Sequence, residues 1–251
     1  MVLDDIVIVL ARPSEPGNTG AVCRAMKNMG LTKLRIARTE IPDNDLSMEK
    51  LLSRAIHASD IWDRAEHYSC LEDALADCTI SAGTSRRRGR RRKSNTLSPK
   101  ELAVFLKSKT GKAAVVFGNE RTGLDREELE LCSFASHIPV HPDFPSINLS
   151  HAVQIYAYEL HMALAHNSTH AGPAPVPGQW VPMTASEIDS LVSKISNSLA
   201  AIGFYKYPGR EEQERFLRDI IARAGLSLSE GRYFGNIIAK AGRLGNCSSE
   251  E

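Results

Sequence analysis

The apolar positions of this chain change period repeatedly. Residues 6–10 are continuously apolar and β-branched, the pattern of a strand buried on both faces, and Pro13 to Gly17 interrupt it. Asn18 is placed to cap a helix that runs to Met29 and closes at Gly30. Residues 34–37 read as a second strand and residues 46–58 as a helix after the polar turn at 42–44. A short helix over 71–77 leads to a strand over 79–82 that runs into Gly83, Thr84 and Ser85. Ser98, Pro99 and Glu101 form a capping box with proline at the first helical position, predicting a helix through Leu106. Residues 113–117 are again a buried strand, Asp125 with Glu128 opens a helix, and residues 134–140 return as a strand. The spacing of Leu149, Val153, Tyr156, Leu160 and Leu164 then predicts a helix after the loop 141–148. This alternation predicts an α/β domain with a mostly parallel sheet.

The pattern breaks at residues 167–182, where four prolines and two glycines give linker composition. Beyond it Thr184 and Glu187 form a further capping box. Segments beginning at Ser186, Glu211 and Ser229 read as three helices separated by Gly203, Gly209 and Gly225. The expected organisation is a domain over 1–166, a linker over 167–183 and a small helical module over 184–251.

Charge alters this picture in one place. The formal net charge is +1, yet Arg86, Arg87, Arg88, Arg90, Arg91, Arg92 and Lys93 carry seven positive charges, which leaves −6 on the rest. Such a run is usually a solvated loop. Beside a strand end that carries a ligand loop, phosphate binding becomes the better reading, with Arg87, Arg88, Arg91 and Arg92 as RNA contacts. Five scattered cysteines with no C-x-x-C pair fit a reduced cytoplasmic protein. Residues 1–10 are too short and too acidic for a signal peptide, and no run approaches the roughly 20 apolar residues of a membrane span. His137, His141, His161, His166 and His170 lack metal-ligand spacing, so no metal is expected. The absence of G-x-x-x-x-G-K-[ST], G-x-G-x-x-G and H-E-x-x-H disfavours NTPases, dinucleotide enzymes and zinc peptidases.

Three glycine-bearing loops follow predicted strands, at the carboxyl ends where open α/β sheets bind ligands. The first is Pro16-Gly17-Asn18-Thr19-Gly20 with Arg24 on the following helix. The second is Phe117-Gly118-Asn119-Glu120-Arg121-Thr122-Gly123-Leu124. The third runs from Ile138-Pro139-Val140 to Pro145-Ser146-Ile147-Asn148-Leu149-Ser150. Singly, each reads as an ordinary turn or helix cap. Together and in this order they resemble the three motifs of the SPOUT RNA methyltransferases, in their TrmH-like branch that methylates ribose. The resemblance spans residues 4–165.

It implies a parallel sheet with a C-terminal trefoil knot, a homodimer, and S-adenosylmethionine held by Thr84, Ser85, Arg86, Gly118, Ile138, Pro139, Ser146, Ile147, Asn148 and Leu149. It implies catalytic roles for Arg24, Asn18, Glu120, Ser146 and Asn148. The substrate it implies is tRNA at nucleotide 32 of the anticodon loop, with rRNA or a non-catalytic RNA-binding role as alternatives. The residues suit that chemistry. Gly118 has no Cβ to hold a nucleoside off the main chain, and Ser146 and Asn148 add side-chain hydrogen bonds. Transfer from a sulfonium depends largely on positioning, whereas a ribose 2′-hydroxyl is poorly acidic and its developing alkoxide needs a cation beside it. Arg24 is the candidate for that cation; a guanidinium stays protonated, so it is a stabiliser and phosphate clamp, not a base. Asn18 is expected to orient Arg24 or the ribose, Glu120 to hold the arginine, and Ser146 to place the hydroxyl. Without the resemblance, a surface salt bridge is the plainer reading of Glu120.

Overall fold

A computed structural model describes residues 1–85, 96–165, 181–205 and 209–247, with side chains described to 242. The chain divides into two units, Met1–Ala174 and Pro175–Glu251. In the first, the elements run β1 (Ile6–Ala11), α1 (Pro16–Asn28), β2 (Lys33–Ala37), α2 (Asp45–Ala55), α3 (Ser59–Asp63), β3 (Glu66–Tyr68), α4 (Leu71–Leu75), β4 (Ile80–Thr84), β5 (Thr96–Leu97), α5 (Pro99–Lys107), β6 (Ala113–Phe117), α6 (Arg126–Leu131), β7 (Phe134–Ser136) and α7 (Leu149–Leu164). The seven strands form one parallel sheet in the order β3-β2-β1-β6-β4-β7-β5.

The unbroken apolar runs of β1 and β6 are explained by their central place. Alternate residues of a strand face opposite sides, so a strand covered on both faces must be apolar throughout. Ile6, Ile8 and Leu10, with Val115 and Phe117, share one core with Val22 and Met26 of α1, Leu102 and Leu106 of α5, and Val153, Tyr156 and Leu160 of α7. Val7, Val9, Ala114 and Val116 face the other way, onto Leu71 and Leu75 of α4 and Leu129 of α6. Each large aliphatic side chain so buried contributes about 1.5–3 kcal/mol.

The sheet register sets the site. Leu10 pairs with Phe117 and Gly83 with Val116, so β1, β6 and β4 end side by side and the loops after them open on one edge. Two short strands, β3 and β5, were not foreseen from the sequence; at three and two residues they are too short to show a period. Helix α1 begins earlier than expected: Pro16 takes the first helical position after Glu15, and Asn18 sits inside the first turn instead of capping it. The last strand stops at Ser136 instead of continuing to 140. Gly20 owes its identity to packing, because a Cβ there would lie 2.0 Å from the Leu51 carbonyl oxygen of α2. The expected capping boxes of α5 and α6 are present.

The second unit holds α8 (Ala185–Ala200), α9 (Arg210–Ala224) and α10 (Leu228–Cys247), the three helices expected. Thr184 and Glu187 cap α8 as predicted, and Gly225 ends α9 in the left-handed conformation. Met183, Ile188, Leu191, Val192, Ile195 and Ile221 form its core.

Candidate nucleotide site

A cavity of about 320 Å³ opens where β4, β6 and β7 end and α7 begins. That is within the size range of small-molecule sites. One wall is Thr84 and Ser85; a second is the loop from Gly118 to Asp125; a third is His137 and Ile138, with Pro145, Ser146 and Ile147. Phe117, Leu149, Ala152 and Tyr156 complete the apolar lining.

Local chemistry shapes the second wall. The loop after β6 closes on itself: Gly123 N donates to Asn119 O at 2.8 Å, and Gly123 has φ +70°, which favours glycine. Gly118 lies so close that a Cβ would fall 2.1 Å from both Gly123 C and Leu124 N. The Asn119 side chain fills the turn, with Oδ1 accepting from Arg121 N at 3.0 Å and Nδ2 donating to Arg12 O at 2.8 Å. Arg12, just past β1, adopts a left-handed φ of +53° and donates from Nε and Nη2 to Glu128 at 2.6 and 2.7 Å. Its hydrogen bond to the Glu128 carboxylate holds the Arg12 guanidinium above its ordinary pKa.

The third wall is tied to the first. Ser85 N donates to Ser136 O at 2.8 Å, and His137 Nδ1 lies 3.0 Å from Ser85 O. Beneath them Tyr156 Oη donates to Ser136 Oγ at 2.7 Å, and Ser136 Oγ donates to Leu97 O at 2.7 Å. Burial pushes the Tyr156 phenol above its ordinary pKa, so it stays protonated and serves as a donor, not a base.

Of the cofactor residues expected from the sequence, Thr84, Ser85, Gly118, Ile138, Ser146, Ile147 and Leu149 line this cavity. Pro139 and Asn148 do not line it. Arg86 and the RNA candidates Arg87, Arg88, Arg91 and Arg92 lie outside the described residues. Asn148 has another place. Its Oδ1 accepts from Ser150 N at 2.9 Å and Ser150 Oγ at 2.7 Å, capping α7, while its Nδ2 donates to Asn18 Oδ1 at 3.0 Å. The first and third motifs therefore meet. This contact uses Asn18 Oδ1 as the acceptor and leaves Asn18 Nδ2 out of the bond.

Glu120 does not hold Arg24. It accepts from Ser14 N at 3.1 Å, Ser14 Oγ at 2.9 Å and Glu15 N at 3.2 Å, pinning the second motif to the turn before α1. The physical reason is proximity, since these donors follow β1, the neighbour of β6. Arg24 is exposed on α1 and has no assigned side-chain partner among the described residues. Sequence reasoning passed over Arg12, Asn119, His137 and Tyr156. Asn119 and His137 stood inside or beside the motifs, Tyr156 was visible only as a core position, and Arg12 gave no signal beyond following a strand.

Among the described residues no group of acidic, histidine and cysteine side chains is arranged to hold a metal ion, and no helix is long and apolar enough to cross a membrane.

Residues 5–158 match the family model described as the SpoU rRNA Methylase family. The chain is 35% identical to the tRNA (cytidine/uridine/adenosine-2′-O-)-methyltransferase TrmJ of Pseudomonas aeruginosa (strain UCBPP-PA14), over 96% of this chain and 95% of that protein. It is 34% identical to the tRNA (cytidine/uridine-2′-O-)-methyltransferase TrmJ of Cronobacter sakazakii (strain ATCC BAA-894), over 88% and 89%. Among solved structures, TrmJ from Z. mobilis ZM4 matches with a TM-score of 0.74 at 25% identity, covering 94% of this chain and 98% of that one.

Proposed function

The chain belongs to the SpoU rRNA methylase family, and from that premise we propose that it is an S-adenosylmethionine-dependent RNA 2′-O-methyltransferase acting on tRNA at nucleotide 32 of the anticodon loop. The observation that carries this is the cavity at the strand ends, walled by the second and third motifs, with the first motif joined at Asn18 to Asn148. The residues fit a nucleoside: an apolar lining, a main-chain wall folded tightly at Gly118, and polar groups at Thr84, Ser85 and Ser146. When bound, the donor supplies an electrophilic methyl group on a sulfonium whose departure is already favourable.

The chain's own residues do the rest. The loop at Gly118, with Ser146, Ile147 and Leu149, binds and orients the nucleoside. Asn18 directs its amide donors at the ribose or an adjacent phosphate, and Asn148 fixes that orientation while capping α7. Arg24 stabilises the negative charge that develops on the 2′-oxygen as it takes the methyl group from the sulfonium, whose thioether leaves; the proton passes to solvent, because the protonated guanidinium cannot accept it. Glu120 acts at one remove, by holding the turn at Ser14 and Glu15 that leads into α1.

The arginine run at 86–92 supplies phosphate contacts, the helical unit contributes to RNA binding, and the enzyme works in the cytoplasm as a homodimer. The C-terminal trefoil knot belongs to the same proposal. Ribosomal RNA is the second reading, because the matching family is described by rRNA methylation. The test is mass spectrometry of nucleosides and of ribonuclease fragments after incubating the protein and isotopically labelled S-adenosylmethionine with tRNA or rRNA. Label in a 2′-O-methyl nucleoside at tRNA position 32 is expected; label on a base, or in rRNA alone, would overturn the respective part.

A further inference from the structure

We propose that Arg12 is a positioning residue for the methyl-donor site, clamping the loop after β6 at both ends without itself lining the cavity; this rests on the reading of that cavity given above. Its main-chain carbonyl accepts from Asn119 Nδ2 at 2.8 Å, holding the start of the loop. Its guanidinium donates to Gly123 O at 3.2 Å and to both oxygens of Glu128 at 2.6 and 2.7 Å, holding the end. Glu128 in turn accepts from Asp125 N at 2.9 Å, so the first turn of α6 is tied into the same pair. Residues 118–125 all line the cavity, whereas Arg12 and Glu128 do not.

Two features favour positioning over an incidental ion pair. Arg12 has φ +53°, a conformation that disfavours a side-chain-bearing residue and that glycine would adopt without cost. In this conformation the carbonyl accepts from Asn119 Nδ2 and the side chain donates to Glu128. The pair is also shielded: the Arg12 and Glu128 side chains are 17% and 9% exposed, so the bidentate fork works where water competes weakly. A surface ion pair would do little; this one fixes the shape of a wall.

The test uses the full chain. Calorimetric titration with S-adenosylhomocysteine is combined with methylation kinetics in which donor and RNA are varied separately. Arg12→Lys keeps the charge and loses the fork. The double variant Arg12→Gly with Glu128→Gln removes the backbone strain and the buried unpaired carboxylate together, which protects the fold. Loss of the bidentate fork should weaken donor binding about tenfold in Arg12→Lys, and loss of the charge as well should weaken it further in the double variant. KM for the donor should rise in step while KM for RNA stays within about twofold.

A role confined to stability would lower the unfolding midpoint and leave the ratio of the two KM values unchanged. Donor affinity and KM within twofold of wild type in Arg12→Lys overturns the proposal, whether or not the double variant folds. Equal rises in both KM values overturn it too. Absence of S-adenosylhomocysteine binding by the wild type would instead overturn the reading of the cavity, a failure distinguishable because no substitution is involved.

Discussion

Replacing Gly118 by alanine adds one methyl group, and the structure states where it goes. The new Cβ would lie 2.1 Å from Gly123 C and Leu124 N and 2.5 Å from Gly123 O, all main-chain atoms. Non-bonded carbon contacts settle near 3.5 Å, so the loop must retreat by roughly 1.4 Å. Retreat strains the Gly123 N to Asn119 O bond and the Arg12 Nη2 to Gly123 O bond, each worth about 1 kcal/mol, on top of about 1–3 kcal/mol for overpacking. A wall displaced by about 1 Å is expected to weaken S-adenosylhomocysteine binding about tenfold or more, the equivalent of about 1.4 kcal/mol of lost contacts. Gly123→Ala is the control: its Cβ would meet nothing within 4 Å, so the cost is confined to a left-handed backbone at φ +70°, about 1–2 kcal/mol of stability. Its donor affinity should stay within about threefold. Calorimetry paired with urea denaturation separates the two variants. Equal donor affinities for Gly118→Ala and wild type, or equal losses for the two alanines, would refute the reasoning. The conflict at Gly118 is thus within the protein, where the sequence suggested one with the ligand.

Arg24→Ala should lower kcat by about 100-fold or more while S-adenosylhomocysteine binds within a few-fold of wild type, since Arg24 lies outside the cavity; a parallel collapse in affinity would move it into the donor site. Asp77 accepts from Arg35 at 2.6 and 3.1 Å and pairs with Lys112, and the Arg35 hydrogen bond holds its carboxyl below the usual range. A folded pKa below the unfolded one stabilises above about pH 4 and is lost as pH falls below that, so Asp77→Asn should reduce stability at pH 7 and flatten acid unfolding between about pH 4 and 2; an unchanged acid limb would deny the linkage. A fragment ending at Ala174, the boundary between the units, should fold and bind the donor like the full chain but methylate tRNA poorly; full activity would make the helical unit dispensable.

Much of this protein was legible one segment at a time. The buried runs of β1 and β6, the capping boxes at Ser98, Asp125 and Thr184, and the helical spacing of α7 are local signals. Each depends on a period or on side-chain hydrogen bonds within a turn. The three motifs were likewise visible as short strings placed after strands. What the strings could not carry was their partners. Glu120 was expected at Arg24 and holds Ser14 and Glu15 instead; Asn148 reaches Asn18 across 130 residues; Arg12 meets Glu128 across 116. Those pairings follow from the strand order, which sets β6 beside β1 and β4, and local periodicity carries no information about which strands become neighbours. Gly118 and Gly20 show the same division: the sequence marks where a side chain is missing, and only the folded chain shows that one makes room for its own loop and the other for a crossing helix.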